Sequence, residues 1–101
     1  MRTIIARFNI QPGKEAEAEE AMKTMAAAVE AKEPGALAYI FTRNRKEPSE
    51  VAVFEVYADG DAFAAHGASA HMAAFRPNFG AVFDPASVKI DGLDRVAGFT
   101  R

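Results

Sequence analysis

The stretch VAVFEVYADGDAFAAH, residues 51 to 66, decides the fold. In its first half Val51, Val53, Glu55 and Tyr57 share one side of an extended chain, and Ala52, Phe54 and Val56 lie on the other. This is a strand, and apart from Glu55 both of its faces are apolar. Asp59 and Asp61 follow, and a short carboxylate there accepts from the free amides of a first helical turn, so a helix runs over about Asp61 to His66. A strand that is greasy on both sides needs cover on both sides. The rest of the chain must supply it.

Downstream, Gly67 suits a left-handed residue that ends the helix, and Ser69 caps a second short helix from Ala70 to about Arg76. Pro77 closes it, NFGAVF (78–83) is an apolar connector, and ASVKIDGL (86–93) is a last strand. The tail DRVAGFTR has no assignable conformation. Upstream, ALAYIFTR (36–43) is a second two-faced strand, with Leu37, Tyr39 and Phe41 opposite Ala36, Ala38 and Ile40. NRKEPSE joins it to Val51 as a hairpin with a long loop. Before it, GKEAEAEEAMKTMAAAVEAK places Ala18, Met22, Met25 and Val29 at helical steps, and Glu33-Pro34-Gly35 stops that helix. RTIIARFNI (2–10) alternates as the first strand, with Ile4, Ala6, Phe8 and Ile10 on one side, and Pro12-Gly13 breaks it.

The order strand, helix, strand, strand, short helices, strand implies one α+β domain over residues 1–101. Its expected architecture is a ferredoxin-like split βαβ, a four-stranded antiparallel sheet with helices on one face. A second copy is the simplest cover for the other, apolar face, so the expected assembly is a homodimer with sheets face to face.

Composition narrows the function classes. The charged fraction is 26% and the formal net charge is −2, with no basic excess to neutralise phosphates, so a nucleic-acid partner is not expected. Without cysteine there is no disulfide framework, thiolate metal site or cysteine nucleophile. MRTIIARFNI alternates in polarity, unlike a signal peptide, and no stretch approaches the roughly 20 apolar residues of a membrane span. The expectation is a cytoplasmic protein with no membrane partner.

EPGALAYIFTR (33–43) and VAVFEVYADGDAFAAHGASAHMAAF (51–75), with NIQPGKEAE after the first strand, resemble the antibiotic biosynthesis monooxygenase domain family of the dimeric α+β barrel superfamily. The resemblance implies a barrel-like dimer with an apolar pocket between each sheet and its short helices. It also implies an oxygenase that needs no cofactor: an electron-rich aromatic or quinol substrate is deprotonated and reacts with dioxygen. Haem-degrading relatives carry an aromatic residue near the position of His66 and an iron-binding histidine about three turns on. Here those places hold His66 and Arg76, so haem degradation is not expected. A non-catalytic small-molecule-binding or dimerisation module of the same fold is the competing reading.

His66 and His71 are the only histidines. Five residues apart, they would stand ~140° round a continuous helix, and no cysteine or third histidine completes a metal set, so no metal site is expected. Gly67 and Ser69 break the helix between them, which lets the two rings approach one another or the same cavity. His66, ending its helix, can donate to free carbonyls there, or enter the pocket as base or hydrogen-bond donor. His71 falls in the first turn of the next helix, partly exposed, with substrate contact as its functional alternative. Glu55 must be paired with Arg7, Arg43 or a dimer-mate arginine, or else act as a second proton acceptor with raised pKa. Asn9, on the side of Arg7, is a candidate substrate contact. Met72, Phe75, Phe79 and Phe83 form an apolar wall suited to a flat ring, or simply core.

Overall fold

Alternation along the first strand places Ile4, Ala6, Phe8 and Ile10 under cover while Arg7 and Asn9 stay exposed. The computed structural model describes residues 1–101. Its elements are β1 (Arg2–Asn9), α1 (Glu15–Lys32), β2 (Ala36–Arg43), β3 (Glu50–Tyr57), α2 (Gly60–Gly67), α3 (Ala70–Phe75), α4 (Phe79–Val82) and β4 (Lys89–Leu93). Single 3₁₀ turns lie at Arg76–Asn78 and Pro85–Ser87.

The four strands form one antiparallel sheet in the order β2-β3-β1-β4. Ala6 of β1 pairs with Val53 of β3 on one side and with Ile90 of β4 on the other. This is the split βαβ arrangement, with the outer strands arriving after each helical segment. Ala18, Met22, Met25 and Val29 are the buried stripe of α1. Ala18 and Met22 join Ala6, Phe8, Val51, Val53 and Phe83 in the main core cluster.

Local chemistry fixes the ends of the short helices. Asp59 accepts from Ala62 N at 2.8 Å, and Ser69 Oγ accepts from Met72 N at 3.2 Å. Gly67 is not the left-handed terminator that the sequence suggests: the left-handed glycines are Gly13 and Gly98. The reason is that the amide of Ala68 bonds to Ala64 O and the hydroxyl of Ser69 donates to His66 O, so the final carbonyls are met without a reversal. NFGAVF contains a helical turn, α4, because Phe79 and Phe83 fold back onto Phe8 and Phe75. The last strand begins at Lys89 rather than Ala86, since Asp84 accepts from Ala86 N and Pro85 sets a 3₁₀ turn first.

Gly35 is required by a close approach. A Cβ there would lie 2.6 Å from the Cβ of Ala62, so α2 sits directly on the turn that ends α1. That contact carries the C-terminal end of α2 towards Glu33.

The opposite face of the sheet has no helix on it. Ile40, Phe54 and Leu93 remain 52%, 39% and 42% exposed, with Phe54 registered between Ile5 and Ile40. Arg7 and Asp91 form an ion pair of 3.6 Å beside this apolar strip.

Candidate functional site

Glu33 is the C-cap of α1. A carboxylate is electrostatically misplaced at a helix C-terminus, and Glu33 is nevertheless buried. Two imidazoles compensate it. Its carboxylate accepts from Nδ1 of His66, with contacts of 2.9 and 3.1 Å to its two oxygens, and from Nε2 of His71. No lysine or arginine pairs with it. His66 comes from the last turn of α2 and His71 from the first turn of α3, and the break at Gly67 to Ser69 turns both rings inward, with centroids 6.3 Å apart.

The five-residue spacing therefore does not separate the histidines, because it is not carried by one continuous helix. Glu33, His66 and His71 bring three ligand atoms within 4.8 Å of one another. Two imidazoles and a carboxylate are a donor set that zinc or ferrous iron accepts. Here, however, His66 Nδ1 and His71 Nε2 are engaged with the carboxylate itself. The other nitrogen of each ring lacks the protein acceptor that usually orients a metal-binding histidine.

Beside this cluster lies a cavity of about 330 Å³ between the sheet and the short helices. Ile4, Ala6, Phe8, Phe41, Val53, Phe63, Met72, Phe75 and Phe79 give it apolar walls, and its polar lining is Tyr39, Glu55, His66 and Arg76. His66 Nε2 makes no hydrogen bond to the chain, and no buried side-chain N or O atom is left without a partner. Nε2 is therefore not sealed off, and His66 is one of the residues that line the cavity. With Nδ1–H held by Glu33, that nitrogen carries the lone pair and can accept a proton.

Glu55 does not pair with Arg7 or Arg43. Arg7 meets Asp91, and Arg43 donates from Nε to the carbonyl of Pro48. Instead the hydroxyl of Tyr57, two residues along the same face of β3, donates to Glu55 Oε1 at 2.5 Å. Burial pushes the Glu55 carboxyl pKa up, against the opposing effects of the Tyr57 hydrogen bond and nearby His66. Burial, aided by the neighbouring carboxylates, also raises the pKa of the Tyr39 and Tyr57 hydroxyls, keeping them neutral donors.

Of the residues singled out in the sequence, His66, Glu55, Met72, Phe75 and Phe79 line this cavity. Three do not. Asn9 belongs to the other face of the sheet, near Arg7 and Thr42, and its backbone amide donates to Ser87 Oγ. Phe83 is fully buried core, stacked on Phe79 with the centroids 5.0 Å apart. His71 borders a second groove between α1 and the α3–α4 segment. Sequence reasoning missed Glu33, read only as a helix stop, together with Tyr39, Tyr57 and Arg76. An acid at a helix C-terminus was the available signal for Glu33.

Similarity to known proteins agrees with the architecture. A candidate antibiotic biosynthesis monooxygenase from Caulobacter crescentus superposes with a TM-score of 0.87 at 34% identity, covering 95% of this chain and 90% of that one. The PA3566 protein of Pseudomonas aeruginosa gives 0.84 at 27% identity, over 95% and 94% of the two chains. Rv0793 of Mycobacterium tuberculosis shares the fold, with a TM-score of 0.84 at 21% identity over 98% of each. No curated protein matches the chain. The family described as antibiotic biosynthesis monooxygenase matches residues 1–78, which include Glu33, Glu55, His66 and His71, and the chain belongs to that family.

Proposed function

We propose that the protein is a cofactor-independent monooxygenase that oxidises a small aromatic or quinol-type substrate with dioxygen in the inner cavity, acting as a homodimer. One observation carries this: His66, held at Nδ1 by Glu33, lines an apolar cavity and makes no other side-chain hydrogen bond. In serine hydrolases an acid holds a histidine in the same way, so that the far nitrogen serves as base. The substrate hydroxyl or enol proton passes to His66 Nε2. The resulting electron-rich anion reduces dioxygen; for an anthrone-type methylene, one oxygen atom becomes the new carbonyl and the other leaves as water, with all four electrons drawn from the substrate.

Glu55 and Tyr39 are the polar groups that would orient the ring. Met72, Phe75 and Phe79 would pack on its faces and keep water away from the anion. The exposed strip of Ile40, Phe54 and Leu93 supports the homodimer, since apolar surface of this kind marks an interaction site. No helix is long and apolar enough to cross a membrane. Cytoplasmic action belongs to the same proposal and is checked by cell fractionation.

Oxygen uptake with a panel of hydroquinones and anthrones tests it. The expected result is turnover by the wild type and a loss of about 10²-fold or more in kcat for His66→Ala, the scale of general-base catalysis. Turnover unaffected by that substitution removes His66 from the reaction. Binding without oxygen consumption across the panel would leave the cavity as that of a non-catalytic module.

A further inference from the structure

Glu33, His66 and His71 converge from three separate elements: the end of α1, the last turn of α2 and the first turn of α3. One ligand atom of each lies within 4.8 Å of the other two. A four-coordinate ion with bonds of about 2.0–2.1 Å sets neighbouring ligand atoms about 3.3 Å apart, and the two contacts from Glu33 to His66 Nδ1 are already 2.9 and 3.1 Å. Small side-chain shifts therefore admit an ion. The His66 ring is kept in place without one by the rings of Tyr39 and Tyr57, at centroid distances of 5.2 and 5.6 Å. His71 borders an outer groove of about 340 Å³ between α1 and the α3–α4 segment, which supplies an entry path and room for a water as fourth ligand. Glu55 is engaged by Tyr57 and stays outside the donor set.

Two imidazoles and a carboxylate suit a borderline cation such as zinc, whereas magnesium and calcium prefer oxygen ligands throughout. In a resident zinc site the far nitrogen of each ring is tied to an acceptor, and here neither is, a difference worth about 10–100-fold in affinity. Such a site fills and empties.

We infer that Glu33, His66 and His71 form an exchangeable zinc site whose occupation switches the protein off. The switch rests on His66 acting as the base; the binding of zinc does not. In the metal-free form each ring directs an N–H at the carboxylate, and zinc takes the place of both protons. Each neutral ring keeps one proton, exchanged through water to its far nitrogen: His66 loses the proton on Nδ1 and gains one on Nε2, and His71 loses the proton on Nε2 and gains one on Nδ1. No net proton is released. With zinc on Nδ1 and hydrogen on Nε2, His66 has no lone pair left to take a proton from substrate.

The test uses the full chain without a histidine tag, stripped with a chelator. Calorimetric titration with zinc chloride should give one ion per chain, and magnesium chloride no saturable binding. X-ray absorption of the zinc-loaded wild type, which needs no variant, should show two imidazoles and a carboxylate oxygen around the ion. His71→Gln keeps an N–H donor beside Glu33 but offers zinc no imidazole, and should weaken binding by no less than the about tenfold that loss of an outer partner costs. With the substrate that the wild type oxidises fastest, zinc should inhibit over the concentrations at which it binds, and chelator should restore the rate. His71→Gln, measured against its own zinc-free rate, should need correspondingly more zinc. No saturable zinc binding would overturn the site, as would an absorption spectrum without imidazole or an affinity that His71→Gln leaves unchanged. If His66→Ala is inactive while zinc binds at the cluster and leaves the wild-type rate untouched, only the switch fails; if His66→Ala is fully active, the assignment of the base fails first. If no substrate is oxidised, the proposed function fails and the switch with it, while titration and absorption still decide the site.

Discussion

The carboxylate of Glu33 lies 2.9 Å from Nδ1 of His66, a contact between residues 33 positions apart in the sequence. It joins the end of α1 to the end of α2 and fixes which nitrogen of His66 is free. Glu33→Gln removes the charge at almost constant shape. The amide oxygen can still accept from both rings, as Oε2 does, but it carries no charge to stabilise the imidazolium that forms when Nε2 takes a proton. The expected loss of kcat is about 10²-fold. Thermal unfolding should show a stability cost of about 1–3 kcal/mol for the imperfectly paired buried groups. Unchanged kcat in a folded variant would contradict a catalytic role for the Glu33 charge.

Glu55 makes a distinct prediction about pH. Its folded-state carboxyl pKa is raised above the ordinary value of 4.5, chiefly by burial. The folded protein therefore holds more protons than the unfolded chain between 4.5 and the folded value, and stability falls as pH rises through that window. Glu55→Gln retains an acceptor for Tyr57 and has no charge to bury. Denaturant titrations should show it gaining stability relative to wild type as pH rises from 4 through the window. A stability difference that stays constant with pH would contradict the raised pKa.

Phe54 sits between Ile5 and Ile40 on the uncovered face and is 39% exposed. Phe54→Glu would place a charge at the centre of a sheet-to-sheet contact, where desolvating it without a partner costs several kcal/mol. Sedimentation at micromolar concentration should give about twice the 10.9 kDa chain mass for wild type and the single-chain mass for the variant. A single-chain mass for wild type would remove the homodimer.

The donor set of Glu33, His66 and His71 makes chelation informative. Tag-free protein treated with a chelator should oxidise substrate as fast as untreated protein. Added zinc should inhibit, because a metal on Nδ1 of His66 displaces the proton that Glu33 holds there. Activity lost on chelation and recovered with one equivalent of a divalent metal would reassign the cluster as a metal centre.

Much of the fold was legible because strand and helix periodicities are local. The alternation of Ile4, Ala6 and Phe8, the steps Ala18, Met22, Met25 and Val29, and the caps Asp59 and Ser69 need only neighbours in sequence. His66 and Glu55 could be singled out because a titratable group in an apolar run is unusual wherever it falls. The partners of each could not be named. Charge alone directs Glu55 to an arginine, but strand geometry supplies the hydroxyl of Tyr57 on the same face. The break at Gly67 to Ser69 is legible and lets the two imidazoles approach, but that they meet on the carboxylate of Glu33 is not.

By itself, then, the chain determined its layers: an α+β sheet with one helical face, an apolar opposite face, and a stretch of short helices holding both imidazoles. The tertiary structure alone decided that Glu33 stands between those imidazoles, that Asn9 faces away from the cavity, and that His71 borders a different hollow from His66. Backbone periodicity is set within a few residues, whereas a carboxylate 33 and 38 positions distant from its donors is placed only when α1, α2 and the close contact at Gly35 pack together.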